Sequence, residues 1–284
     1  MRWDTISPDG KTVCLRKFDG DFSFLKVPKD TDAASVKGLA IDTETTGFMH
    51  EQDEIIEIAC REFAFNPKTG AIEDVLKYYE SRQEPSQPLK REVEIITGLA
   101  MDDLKGQSID WKVVNHMIGD ASLVMAHNAG FDRPFVDAKS TASRDTIWGC
   151  TCQQIGWLEK HGNPSSKLEN LSYYHGFFTD AHRALNDVNA LLFLLTKDNN
   201  YLKELLEDTR IPRVKVQAFD SPFKTKDILK ERGYKWDPVR KTWWTTIQEA
   251  AIRDEVEFLE TKIYHNRFPG KINKIKPSDR FKAE

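Results

Sequence analysis

The sequence predicts an α/β protein in two parts, a five-stranded mixed sheet flanked by helices and then a small α+β C-terminal domain. Three observations predict it. Strand-like apolar runs come first and then alternate with helical patterns, and that alternation stops at Arg210-Ile211-Pro212-Arg213. The charge changes sign at the same place: residues 210–284 carry 18 Lys and Arg against 11 Asp and Glu, a balance of +7, whereas residues 1–209 sum to −11. A basic segment of this kind suits contact with a phosphate backbone.

The elements follow in order. Residues 1–36 are polar, with apolar fragments at 12–15 and 22–27 that fit an N-terminal arm or hairpin. From Val36, the run VKGLAIDTETTG reads as a buried strand entering a glycine-terminated turn. Residues 55–65 (IIEIACREFAF) and 72–79 (IEDVLKYY) are strands joined across Asn66-Pro67 and Gly70, a hairpin. Short helices are predicted at 89–96, ended by Gly98, and at 101–104. A helix at 110–118 places Trp111, Val114 and Ile118 on one face. Residues 122–126 (SLVMA) form a short buried strand, Phe131 opens a helix carrying Phe135 and Val136, and 146–150 supply the fifth strand. A helix at 168–174 precedes the longest helical pattern, 181–206, capped by Thr179 or Asp180.

Beyond Arg210, residues 225–232 form a helix ended by Gly233, residues 234–236 and 242–246 flank the turn Asp237-Pro238, and 248–264 form a second helix. Residues 266–284, with six basic side chains, are expected to be a flexible tail. The predicted divisions are therefore 1–36, 37–208, 209–265 and 266–284.

Composition narrows the function classes. With 39 % apolar and 30 % charged residues in 284, the chain is neither disordered nor fibrous. It has no apolar run near the roughly 18 residues of a membrane span and no apolar stretch of a secretory signal, so a cytoplasmic protein without membrane contact is expected. The four cysteines, Cys14, Cys60, Cys150 and Cys152, make neither a disulfide framework nor a CxxC zinc knuckle and are expected to be reduced.

Three constellations carry chemistry. Asp42 and Glu44 stand two apart at the end of an apolar strand, so both carboxylates project from one face while Thr43 faces the other. Such a pair repels itself unless a cation sits between its members, and burial without one is costly. His127-Asn128-Ala129-Gly130-Phe131-Asp132 follows a short strand directly, the position where ligand sites gather in open sheets. In His182-Arg183-Ala184-Leu185-Asn186-Asp187, an ideal helix sets His182 and Asp187 about 140° apart. A shared site then requires His182 to lie in or just before the first turn.

In this order and at these separations, Asp42, Glu44, Asp132, His182 and Asp187 resemble the DEDDh branch of the DEDD superfamily of 3′→5′ exonucleases, the branch of epsilon proofreading subunits and exonuclease-X-like enzymes. The resemblance spans about residues 39–195 and includes IDTETTG, EIIEIA, ITGLAMDDLKG and AHNAGFD; Thr97 stands where many relatives have a histidine. It implies a ribonuclease-H-like fold and hydrolysis from 3′ ends with two Mg²⁺ or Mn²⁺ ions. Paired ions about 3.5–4 Å apart can stabilise both the attacked phosphate and the leaving oxygen, and hard oxygen donors suit those metals. By the resemblance, Asp42 bridges both ions, Glu44 and Asp187 complete the first, Asp132 holds the second and His182 is the general base. Thr45, Thr46, Gly47 and Asn128 are expected to line the terminal nucleotide.

The C-terminal domain is similar to small domains attached to exonuclease-X-like enzymes. Its basic residues interleave with aromatics, and Lys224, Lys226, Lys241 and Trp244 are expected to form a nucleic-acid patch. Trp236 and Trp243 are assigned to its core. The function expected is a metal-dependent 3′→5′ exodeoxyribonuclease acting on single-stranded or frayed DNA 3′ ends, with a polymerase or repair complex as partner. Its rivals are an exoribonuclease of the same fold, since nothing here reads a 2′-OH, and a catalytically silent nucleic-acid-binding protein, for which four clustered carboxylates serve no purpose.

Overall fold

Alternation along one strand decides what the main sheet buries. A computed structural model describes residues 9, 11–25 and 35–283. It forms two units, Met1–Thr209 with Phe281–Glu284, and Arg210–Arg280. In the first, β1 (Arg16–Lys17) is a short outlier, and β2 (Val36–Thr45), β3 (Ile55–Phe65), β4 (Ile72–Arg82), β5 (Leu123–Ala126) and β6 (Trp148–Cys150) make the sheet. Their order is β4-β3-β2-β5-β6, antiparallel from β4 to β2 and parallel from β2 to β6.

Helices cover both faces. Past β4, α1 (Arg91–Thr97) and α2 (Met101–Leu104) bring Leu99 and Leu104 onto Ile56. Leu39 and Ile41 join Val114 and Ile118 of α3 (Trp111–Gly119) and Val136 of α4 (Ala129–Lys139). After α5 (Thr141–Asp145), α6 (Thr151–Gln154), α7 (Leu168–Tyr174) and β7 (Phe177–Phe178), the chain enters α8 (Ala184–Leu195) and α9 (Asn199–Arg210). There Val188, Leu191 and Leu192 meet Ala40, Ala59 and Phe63 on the opposite face. Each large side chain so buried contributes roughly 1.5–3 kcal/mol.

The five sheet strands fall where the apolar runs predict, but several expectations are corrected. The helix expected over 181–206 is two helices, and neither Thr179 nor Asp180 caps it: Arg183 occupies the cap position of α8 without a side-chain cap bond. The chain breaks because Asp198 caps α9, accepting from Asn200 N–H at 2.9 Å. The arm or hairpin expected over 1–36 lies partly outside the described residues. Within them, β1 pairs parallel with β7, and Phe18 stacks on Phe193 with centroids 3.9 Å apart.

In the second unit, β8 (Arg213–Ala218), β9 (Lys235–Asp237), β10 (Thr242–Gln248) and β11 (Lys271–Ile275) form an antiparallel sheet ordered β11-β8-β10-β9. The tail expected over 266–284 is thus corrected: β11 pairs along β8, because KINKI alternates Ile272 into the core. The helix expected from Gln248 starts later, as α11 (Ile252–Phe258) continued by a wider π-helical turn to Tyr264, because β10 runs to Gln248. With α10 (Lys226–Glu231), these segments enclose Val214, Val216, Leu229, Trp243, Leu259 and Ile263. Trp243 is core as expected, whereas Trp236, on the edge strand, is corrected to a surface residue, 48 % exposed.

Asp198→Ala is expected to lower stability by about 0.5–2 kcal/mol, the usual cost of losing a helix cap. Thermal melting checks it, with the chemistry of the distant cleft unchanged.

Candidate active site

The cleft forms where β2 outruns its parallel neighbour. β5 accompanies β2 only over Gly38 to Ala40, so the backbone beyond is open on that side. Asp42 and Glu44 continue the Ala40 parity toward α8, and Thr43 continues the Leu39 parity toward α4. Asp132, in the first turn of α4, fills the gap: its Oδ1 accepts the Thr43 N–H at 3.0 Å and the Thr43 hydroxyl at 2.8 Å. Thr43, expected only to face away, is therefore the tie that holds Asp132 at the strand end.

Asp187 comes from the first turn of α8, and its Oδ2 accepts the His182 N–H at 2.9 Å. His182 lies just before the cap residue Arg183, with φ +62°, a left-handed conformation uncommon outside glycine. The required displacement from the helix is met by this backbone turn. Ligand atoms of Glu44, His182 and Asp187 all lie within 4.8 Å of one another. Asp42, Glu44, Asp132, Asp187 and His182 together line a cleft of about 720 Å³, with Asn128, Phe48 and Phe131 also at its wall.

Glu57, the second acid of EIIEIA and given no role from the sequence, anchors this end of α8. It is fully buried on β3, receives Arg183 Nη2 at 2.8 Å and Arg82 Nε at 3.1 Å, and accepts the Ala184 N–H at 3.0 Å. The helix therefore has an anionic cap supplied from a strand 127 residues away, which also fixes the residue after His182. Arg183 and the Ala184 N–H, with Arg82, draw the Glu57 carboxyl below the usual range despite its burial.

The turn after β2 has its own support. Asp53 accepts from the Thr46 hydroxyl at 3.2 Å and from Met49 N–H at 2.9 Å, and a Cβ on Gly47 would sit 2.5 Å from the Asp53 carboxylate. The Thr45 hydroxyl bonds to Gly47 O at 2.5 Å. Both threonine hydroxyls are thus engaged within the turn, while Asn128 faces the cleft. His127 is a strut: Nε2 must donate to the Ser166 carbonyl at 2.7 Å, leaving Nδ1 to accept from Thr151 Oγ1 at 3.0 Å. Burial pushes its pKa down to about 4, so it stays neutral. Thr97 is buried at the end of α1, its hydroxyl bonded to Val93 O at 2.8 Å.

In the second unit the residues expected to form a patch lie on separate segments. Lys226 Nζ lies 4.5 Å from the ring centre of Phe223, Lys224 belongs to the same turn, and Lys241 sits between β9 and β10 with φ +50°. The cations over Trp244 are instead Lys215 at 4.1 Å and Lys235 at 5.4 Å.

Electrostatics show what the first cleft accommodates. Burial, and then repulsion from Asp132, Asp187 and Glu44, hold the Asp42 carboxyl well above its ordinary range. Burial with the field of Asp187 and Glu57 raises Glu44 to about 8, and burial also raises Asp132 and Asp187. Arg183, whose field opposes the rise of Glu44, is itself bonded to Glu57. Four hard oxygen donors that resist joint ionisation fit small divalent cations such as Mg²⁺ or Mn²⁺.

An open mixed sheet with an acid-lined cleft at the end of its central strand defines an α/β protein of the ribonuclease-H-like fold. The exonuclease (RNase T) family model matches residues 39–195, and the chain belongs to that family. It is similar to the DNA polymerase III PolC-type of Staphylococcus saprophyticus, at 30 % identity over 192 residues, covering 63 % of this chain and 12 % of that protein. The chain thus spans about an eighth of that relative's length. Among solved structures it is similar to exonuclease X in complex with 5′ overhanging duplex DNA, at 20 % identity and TM-score 0.44, covering 60 % of this chain and 99 % of that one. It is also similar to exonuclease I, at 15 % identity and TM-score 0.49, covering 86 % and 63 %. Among the described residues no helix is long and apolar enough to cross a membrane.

Two outcomes are expected. Raised carboxylate pKa values mean that the fold binds protons more tightly than the unfolded chain. The cluster's contribution to stability is therefore fully present at low pH and lost as pH rises through about 6 to 8. In a chelator, the melting temperature should fall over that window, and Mg²⁺ or Mn²⁺ should restore it most at the alkaline end; a melting temperature that rises with pH contradicts this. Glu57→Gln should cost about 1.5–3 kcal/mol, the range for hydrogen bonds to a charged group, measured by denaturant unfolding.

Proposed function

We propose that the chain is a metal-dependent 3′→5′ exodeoxyribonuclease that releases nucleoside monophosphates from single-stranded or frayed DNA 3′ ends. The observation that carries this reading is the convergence of Asp42, Glu44, Asp132, Asp187 and His182 on one cleft within an exonuclease-family domain. The polymerase III PolC-type relative favours DNA and a polymerase or repair complex as partner in the cytoplasm.

In this reading Asp42, Glu44, Asp132 and Asp187 would hold two Mg²⁺ or Mn²⁺ ions. When bound, the ions supply positive charge to the phosphate oxygens and to the leaving 3′ oxygen. His182 accepts the proton of the attacking water as its oxygen bonds to phosphorus and the bond from phosphorus to the 3′ oxygen breaks. Being exposed, that imidazole can pass the proton on to solvent. Asp187 fixes His182 through the backbone N–H, and Glu57 fixes the neighbouring Arg183, so the base is oriented without its ring being tied down. Asn128 and the braced Thr45-Thr46-Gly47 turn receive the terminal nucleotide.

End-labelled single-stranded DNA, matched RNA and duplex with Mg²⁺, Mn²⁺ or EDTA test the reading. Degradation should start at the 3′ end, require metal and favour single-stranded DNA; internal cuts, or equal loss in EDTA, contradict it, and preference for RNA reassigns the substrate. Asp42→Asn should bring turnover to background while leaving the fold intact, and activity within about tenfold of wild type contradicts the ligand assignment. His182→Ala should lower the rate by about 10²–10⁴, the usual contribution of a general base, with partial recovery on adding imidazole.

A further inference from the structure

The second unit buries one face of its sheet and leaves the other without a helix. The register decides which side chains share each face. Trp243 lies opposite Ala218 and Trp236, and with Val214, Val216, Ile247 and Ile272 it belongs to the side covered by α10 and α11. Trp244 must then project from the opposite side, where it lies across from Gln217 and Lys235. Lys271 pairs with Gln217, and Asn273 with Lys215, so one row across the sheet reads Lys271, Gln217, Trp244, Lys235 and the next reads Asn273, Lys215, Thr246.

This face is a polar, basic surface around one aromatic plate. Lys235, Thr246 and Lys271 are exposed, and Trp244, Lys215 and Gln217 are partly so. Lys215 and Lys235 flank the Trp244 ring at 4.1 and 5.4 Å. Among the strand residues on this side, Arg213, Lys215, Lys235 and Lys271 supply cations, and the one carboxylate, Asp237, is bonded to Arg240 at 2.9 Å. The core does not account for a tryptophan here, because Trp243 already fills it from the other side.

We propose that this open sheet face binds single-stranded nucleic acid, with one base stacked on Trp244 and the flanking phosphates held by Lys215, Lys235 and Lys271. A solvated lysine over a ring is held more weakly than a base stacks on it, so an incoming base displaces the ammonium toward its own phosphate. Gln217, Asn273 and Thr246 are short polar side chains that accept any base edge, which suits binding without sequence preference. The inference rests on the reading of the chain as a nucleic-acid enzyme. It uses none of the residues of the carboxylate cleft.

The test measures binding and hydrolysis separately in the full chain. Binding of a labelled oligothymidylate of about 20 nucleotides, the matching oligouridylate and a duplex is followed by anisotropy in EDTA; hydrolysis of a trinucleotide at the carboxylate cleft is followed in Mg²⁺. Lys215→Gln with Lys235→Gln should weaken single-strand binding and flatten its log–log salt dependence by about 1.4, which is about 0.7 for each phosphate that the two lysines would neutralise. Trp244→Ala should weaken binding at least about fivefold and Trp244→Phe much less, while trinucleotide hydrolysis stays at the wild-type rate in all variants. Equal affinity for the two single strands fits the proposal, and preference for one identifies its natural ligand. Unchanged affinity and salt slope in the double lysine variant overturn it, as does a wild-type chain that binds only duplex or no nucleic acid. A chain that binds the single strand through this face yet hydrolyses nothing would retain the proposal and refute the nuclease reading.

Discussion

Mutual repulsion among Asp42, Glu44, Asp132 and Asp187 is the constraint on which the site depends. Four carboxylates are brought to one strand end by different structural devices: strand parity for Asp42 and Glu44, the Thr43 tie for Asp132, and the first turn of α8 for Asp187 with its His182 bond. The surrounding core must be stiff enough to oppose their separation. Leu39 and Ile41 on one side of β2, and Ala40 against α8 on the other, supply that stiffness immediately before the acids. Burial that stabilises the fold thus raises the free energy of the ionised cluster, and a bound divalent cation would offset that cost.

Glu57 plays a different part because its charge is already satisfied. Arg82, Arg183 and the start of α8 surround it, so it stays ionised where the cleft acids resist ionisation. The contrast separates carboxylates that build the frame from those available to bind ions. It also links β3 to His182 through one residue, Arg183.

Much of this was legible in the sequence, for reasons particular to each residue. Period-two geometry aligns Asp42 with Glu44 whatever the tertiary context, and the five sheet strands carry apolar runs long enough to read. The relation of His182 to Asp187 was legible only as a condition, since helix periodicity forbids it and a left-handed residue supplies it. The role of Glu57 was not legible: within EIIEIA it looks like an ordinary alternating polar residue, and its partner Arg183 is 126 residues away. The α8 cap was misplaced for the same reason, because local capping rules cannot see a cap donated by another strand. In the second unit, adjacent Trp243 and Trp244 must face opposite sides, but only pairing with Ala218 and Gln217 shows which is core. The strand in 271–275 was hidden by its charge, since three of its five residues are polar and only β8 gives them a ladder.

In the proposed reading the cleft is a cation site, and its raised carboxylates would lose protons when a metal binds. Calorimetric titration of the chelator-treated protein with Mn²⁺, in buffers of different ionisation enthalpy, reads both affinity and proton release. Saturable binding is predicted, with more protons released near pH 6 than near pH 9, because Glu44 titrates at about 8. Asp42→Asn should abolish the strong binding. Binding without proton release at the lower pH, or binding equally strong in Asp42→Asn, would contradict the account.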